Sequence, residues 1–360
     1  MTKSNPPARD RAWLEVDLAA LRRNARRFQE LIAAPLLPMV KANAYGLGAV
    51  AVARALESVN PWGYGVATAD EGAALREAGI SRPILVFTPL RPAAIDFLMH
   101  HRLIPVIGDL EALDAWLSGG GGAFHVEIDT GMSRSGFRWH DETLIGALGH
   151  RLASASGFQG IFTHFHSADS DPAATVEQAD RFEEVLGALG SRPSLVHLSA
   201  SAGAQWGAEY GIDLARPGIY LYGGRAGTLQ PEPVARLCAR VVALRRLRPG
   251  DTVSYGALAT VETATTIATL AIGYGDGVPR SLGSHGMIEI NRMVVPLVGR
   301  VTMDMIMVDV DDRAVALGDV ATIFGGLVAL DDQAGFAGTN SYELLTAISP
   351  RVARRYQDET

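Results

Sequence analysis

The sequence contains a single cysteine, Cys238, in 360 residues, so an internal disulfide is impossible and a reducing compartment is the matching expectation. Positive charge is outnumbered by negative. With a formal net charge of -7 and no long basic run, nothing in the chain would attract a phosphate backbone or an anionic lipid surface, which excludes nucleic acid and membrane as main partners. No apolar run reaches the length of a membrane span. The opening residues MTKSNPPARDRAW, with two prolines and four charges, have no apolar segment of the secretory-signal kind. A cytoplasmic location is expected. Low-complexity tracts are absent as well.

Present instead is an average globular composition, 48% hydrophobic and 20% charged, sufficient to bury a sizeable core. Eight short apolar runs alternate with Ala/Leu-rich amphipathic stretches: LLPMVKA (36–42), WGYGVAT (62–68), PILVFT (83–88), LIPVI (103–107), AFHVEID (123–129), FQGIFTHF (158–165), SLVHLS (194–199) and LARPGIYLYG (214–223). Near-continuous apolar character implies strands covered on both faces, as in a parallel sheet flanked by helices. Helices are expected after Asp17, where Leu18, Leu21, Ala25, Phe28 and Ile32 share a face, and after Asp70 and Glu71, with Gly79 closing. Eight β/α units predict a TIM (β/α)8 barrel, with function on the loops after the strands; a doubly wound open sheet is the competing fold.

After Gly224 the pattern changes. Pro231 and Pro233 interrupt the chain, and strands expected at 263–274, 287–290 and 299–310 are separated by turn signals at 248–251, 291–292 and 317–319. The reading is a barrel over 1–228 and a mainly-β C-terminal domain over 229–360.

Lys41 ends the first run and is followed by ANAYGLG. An ammonium group is excluded from a barrel strand by its desolvation cost, which lowers a lysine's pKa and leaves the neutral amine. That amine is the nucleophile that condenses with a carbonyl cofactor. On these residues, MVKANAYGLG (39–48) resembles the cofactor-lysine motif of the alanine racemase family. Other motifs extend the resemblance, in order, over nearly the whole chain. It implies a barrel with a β-rich C-terminal domain, pyridoxal 5'-phosphate as cofactor, and a homodimer with shared active sites. It also implies racemisation of L-alanine and D-alanine, supplying D-alanine for peptidoglycan.

The same resemblance implies the roles of individual residues. Lys41 holds the cofactor, with Tyr45 beside it. In VEIDTGMSRSGF (126–137), Arg134 meets the cofactor's phenolic oxygen and the substrate carboxylate, suited to a planar, always-charged fork. Many relatives have a carbamylated lysine at the position of Glu127; here a carboxylate already stands there, and no modified lysine is expected. His164, in GIFTHFHSAD (160–169), packs on the pyridine ring. His166 has no assigned role.

HLSASAGA (197–204) places Ser201 at an expected helix start, a site suited to phosphate, although Ala200 stands where relatives have asparagine. Gly218 and Ile219 supply further amides to the phosphate. Arg216 faces the pyridine nitrogen; having no easily lost proton, it leaves that nitrogen unprotonated, which favours return of the proton to Cα, and thus racemisation over transamination.

Tyr255, in DTVSYGALAT (251–260), comes from the partner subunit to the face opposite Lys41. Two proton carriers on opposite faces are the minimum for inverting a stereocentre in place. Tyr255 would need its proton affinity matched by neighbours, with His164 and Arg216 as candidates. Tyr274 stands at the partner's entrance, the Met303 amide meets the substrate carboxylate, and Tyr342 contacts phosphate and narrows the channel. Aromatic gates favour a small side chain. No metal is expected. The competing function is a broad-specificity amino-acid racemase of the same architecture. A related decarboxylase disagrees with Arg216 and the lone Cys238, and a non-enzymatic cofactor carrier disagrees with the β-domain.

Overall fold

Asp17 ends the strand Ala12–Asp17 and caps the helix Leu18–Ile32, its carboxylate accepting the Ala20 N–H at 2.8 Å. Leu18, Leu21, Ala25, Phe28 and Ile32 are buried, as their spacing predicts. The second expected helix is Ala69–Glu77. Its cap is Thr68, in a reciprocal box with Glu71, and Gly79 follows at φ 88°. These features come from a computed structural model that describes residues 11–358. Residues 1–10, on which the reading of a missing leader rests, and 359–360 lie outside the described residues.

Six expected strands form a parallel sheet in chain order: Tyr64–Val66, Ile84–Val86, Ile104–Ile107, Phe124–Asp129, Phe158–Phe162 and Leu195–His197. The runs 36–42 and 214–223 are a correction, because neither forms a ladder. They make single bridges, Leu36 to Ala215, Met39 to Gly65 and Ala200 to Arg216, and these link the two ends of the sheet into a closed (β/α)8 barrel. Pro38 and Pro217 each withhold one N–H from these pairings, which otherwise continue through the Leu37 N–H to Ala215 O at 2.7 Å and the Met39 N–H to Pro217 O at 2.9 Å. Lys41 and Arg216 therefore stand on irregular backbone where the ring closes.

The C-terminal domain is an eight-stranded sheet around the 13-residue strand Ala235–Leu247. The run 287–290 is a strand as expected, Met287–Ile290. The other two are shorter than expected, Thr265–Leu270 and Ile306–Asp309, because glycine turns and a 3-10 turn at Tyr274–Asp276 take the rest. Two short helices, Leu330–Phe336 and Ser341–Thr346, make the domain mainly β rather than all β. An unanticipated feature is that Ala12–Asp17 lies in this second sheet, antiparallel to Ala235–Leu247 and parallel to Ala353–Gln357. Buried Asp276 joins the same region: Arg351 Nε donates to it at 2.7 Å, Arg11 Nη1 at 3.1 Å and the Gly273 N–H at 2.9 Å.

Candidate active site

Immediately after Lys41 the backbone turns left-handed. Ala42, Asn43, Ala44 and Tyr45 have φ between 50° and 55°. For side-chain-bearing residues this costs about 1–2 kcal/mol each and persists only where the surroundings over-determine it. Here Glu71 Oε1 accepts the Ala42 N–H at 2.6 Å, while Arg354 Nε donates to Gly46 O at 2.9 Å and the Tyr356 hydroxyl to Leu47 O at 3.0 Å. The C-terminal domain thus clamps the turn that aims Lys41. Gly46, at φ 85°, has no room for a side chain, since a Cβ would strike Leu345 O.

A cavity of about 860 Å³ opens on the loops that follow the barrel strands. Lys41, Tyr45, Arg134, His164, Ser201, Arg216, Gly218, Ile219 and Tyr342 all line it. Burial lowers the pKa of Lys41, the Arg134 charge lowers it further, and Glu71 opposes both. The neutral amine therefore becomes available at lower pH than for a free lysine.

Arg216 is buried beneath the cavity, at 5.0 Å from the Phe162 ring. Its Nη1 donates to His197 O and meets His197 Nδ1, each at 2.8 Å, and its Nη2 donates to Thr163 O at 2.8 Å and Leu198 O at 2.9 Å. No acceptor among the described residues takes its Nε–H. Burial pushes its pKa down to about 9, with nearby Glu127 opposing, so it stays charged at neutral pH. His164 Nδ1 lies 3.5 Å from Arg216 Nη2, a looser contact than that of His197.

Glu127 is buried and accepts the Ser135 hydroxyl at 2.7 Å, while Arg134 reaches it at only 3.9 Å. Burial raises the pKa of Glu127, and Ser135 and Arg134 oppose that rise. Ser201 brings a correction. The expected helix behind it is a five-residue 3-10 turn, Ala202–Trp206, too short to sum many peptide dipoles, and the serine makes no side-chain cap. Its hydroxyl instead accepts the Gly218 N–H at 2.8 Å and the Tyr220 N–H at 3.4 Å, holding the 218–220 backbone against the cavity. A Cβ on Gly218 would strike the Tyr45 hydroxyl, so a side chain here would have to push the Tyr45 ring aside.

Three site candidates stand apart. Tyr255 is 73% exposed, Met303 53% and Tyr274 44%, all on the C-terminal domain, and none lines the cavity of its own chain.

Sequence reasoning missed the histidine pair behind the site. His125 Nδ1 and His197 Nε2 are 2.9 Å apart inside the barrel, and His197 stacks on Phe162 at 4.8 Å. The signal was available for one of them, since His125 shares a strand face with Glu127 two residues on. Burial first, then the Arg216 charge, holds His164 and His125 down to about 3 and His197 well below its ordinary value. These buried histidines thus bind fewer protons folded than unfolded between about pH 3 and 6.5, so their contribution to stability should fall as pH drops below that upper limit, with Glu127, whose pKa is raised, acting in the opposite sense. Each buried histidine contributes at most about 1.4 kcal/mol per pH unit. Urea unfolding at a series of pH values should show this slope, and a His125→Asn variant should flatten it; an unchanged slope would count against the assignment.

Fold and site together define a class: a barrel enzyme with a desolvated lysine at the mouth, an arginine below it, and a β-domain clamping the lysine turn. Two family models match, the alanine racemase N-terminal domain over residues 16–226 and the alanine racemase C-terminal domain over 234–356. An alanine racemase from Desulfovibrio desulfuricans is 35% identical, covering 96% of this chain and 97% of the relative; one from Symbiobacterium thermophilum is 37% identical, covering 97% of each. The solved alanine racemase of Clostridium difficile 630 superposes with a TM-score of 0.90 at 31% identity, over 97% of this chain and 96% of that one. The chain belongs to the alanine racemase family and is an isomerase. Members of this family are pyridoxal-phosphate enzymes. No helix among the described residues is long and apolar enough to cross a membrane.

Proposed function

We propose that this chain interconverts L-alanine and D-alanine with pyridoxal 5'-phosphate, using Lys41 and Tyr255 of the partner subunit as the two proton carriers. The observation that carries the reading is the convergence of nine assigned residues on one cavity around a desolvated lysine.

The residues fit the cofactor. Lys41 offers a neutral amine to an aldehyde, and the close-packed Tyr45, Ser201 and Gly218 offer a cradle for phosphate beside Ile219 and Tyr342. The Arg216 Nε–H, without an acceptor among the described residues, suits an unprotonated ring nitrogen. His164 offers a flat face, and Arg134 a fork for a carboxylate. When bound, the cofactor supplies an electron sink for the charge left at Cα.

The chain's own residues do the rest. Arg134, with the Met303 amide of the partner subunit, holds the substrate carboxylate. Lys41 Nζ takes or returns the α-proton on one face, and the Tyr255 hydroxyl of the partner subunit acts on the other. Arg216 stays protonated and gives the ring nitrogen no proton. Tyr274 of the partner subunit and Tyr342 narrow the entrance, which favours a methyl side chain. Exposure of Tyr255, Tyr274 and Met303 in the isolated chain supports a homodimer in which each β-domain completes the other site. Residues 1–228 and 229–360 are the corresponding functional units, with the strand Ala12–Asp17 crossing between them. A cytoplasmic enzyme supplying D-alanine for peptidoglycan is the role this reading assigns.

Single L-amino acids incubated with the holoenzyme and resolved by chiral chromatography test it. Alanine should racemise far faster than serine, lysine or arginine. Comparable rates on all four would replace it with the broad-specificity reading.

A further inference from the structure

The helix Pro172–Leu189 buries one amide side chain, Gln178, against two of the loops that line the cavity. Gln178 Oε1 accepts the His166 N–H at 2.9 Å; its Nε2 donates to His164 O at 3.2 Å and to Thr130 Oγ1 at 3.0 Å. The two backbone groups flank Phe165, and among the described residues nothing else pairs with either. From Thr130 the connection continues, since its hydroxyl lies 2.7 Å from that of Thr163, whose carbonyl accepts Arg216 Nη2 at 2.8 Å. One amide therefore ties the helix to the ends of the strands Phe124–Asp129 and Phe158–Phe162, and through them to Arg216. Arg181 reinforces the tie, its Nη1 donating to Thr130 O at 2.9 Å while its guanidinium lies 4.8 Å above the Trp139 ring.

A buried amide with acceptor and donor both engaged is rigid, and a loop held at two backbone groups cannot shift without breaking both bonds. We propose that Gln178 is a positioning residue for this site, fixing His164 and Arg216 relative to Lys41 through the 163–166 run. The proposal rests on the reading of His164 and Arg216 as groups that face the cofactor.

Two variants test it. Gln178→Met keeps the length and removes every hydrogen bond, whereas Gln178→Glu keeps the acceptor for the His166 N–H and loses both donated bonds. Because small misplacements of reacting groups cost rate, kcat on alanine should fall about 10- to 100-fold in Gln178→Met, with KM changed less than about threefold. Gln178→Glu should fall between this and the parent. Independently of turnover, equilibrium dialysis with pyridoxal phosphate should show weaker binding by both variants. Circular dichroism checks folding, and if Gln178→Met does not fold, Gln178→Glu carries the test. Parental cofactor affinity and parental kcat per bound cofactor would overturn the proposal. Lys41→Ala, assayed alongside, separates the two layers. If it is inactive, an unaffected Gln178 variant refutes positioning alone; if it is active, the site reading falls and this proposal with it.

Discussion

Lys41→Ala protein, purified and supplied with pyridoxal phosphate, is expected to lose both racemisation and the visible absorption of covalently held cofactor. Proton transfer by a positioned side chain is worth about 10²–10⁴-fold, and losing covalent retention as well should push activity more than about 10³-fold below the parent. Stability should move the other way or not at all. An amine whose pKa is lowered by burial is disfavoured in its charged form, so exchanging it for a methyl group removes a desolvation cost. A melting temperature at or above that of the cofactor-free parent, with no activity, is the expected pair of results. A yellow, active variant would remove the basis of the assignment.

On the proposed two-base reading, Tyr255→Phe should keep the cofactor spectrum and lose about 10²–10⁴-fold in interconversion, because one face would be left without its proton carrier. Since Tyr255 is 73% exposed in the isolated chain, its hydroxyl contributes little to folding, and the melting temperature should stay near the parent value. Mixing the two variants is more decisive. If sites are shared, random reassociation of Lys41→Ala and Tyr255→Phe chains makes half the dimers mixed, each with one intact site, and restores about a quarter of parental activity. Full activity of Tyr255→Phe in both directions, or no recovery on mixing, would end the two-subunit reading.

Much of the site could be read along the chain because its residues follow strand ends. His164 comes two residues after Phe158–Phe162, and Arg134 is in the loop after Phe124–Asp129. Ser201 follows Leu195–His197 in the same way. An apolar run ending in a polar residue before a glycine-rich turn is a local pattern, and a barrel sends all such ends to one mouth. The runs holding Pro38 and Pro217, each short of one N–H, pair through single bridges rather than ladders. The left-handed turn after Lys41 was likewise out of reach, since it depends on Glu71, Arg354 and Tyr356 rather than on its own residues.

Order along the chain was enough to indicate the barrel and the β-rich second part, because burial periodicity and turn chemistry act over a few neighbours; the candidate residues at the mouth came from the motifs that resemble a known family. The pairing of His125 with His197 and the reach of Gln178 to the 163–166 run belong to folding in three dimensions. So does the placing of Ala12–Asp17 beside the last strand. Those contacts join residues tens to hundreds of positions apart, and hydrogen-bond geometry between such residues exists only once the barrel has closed.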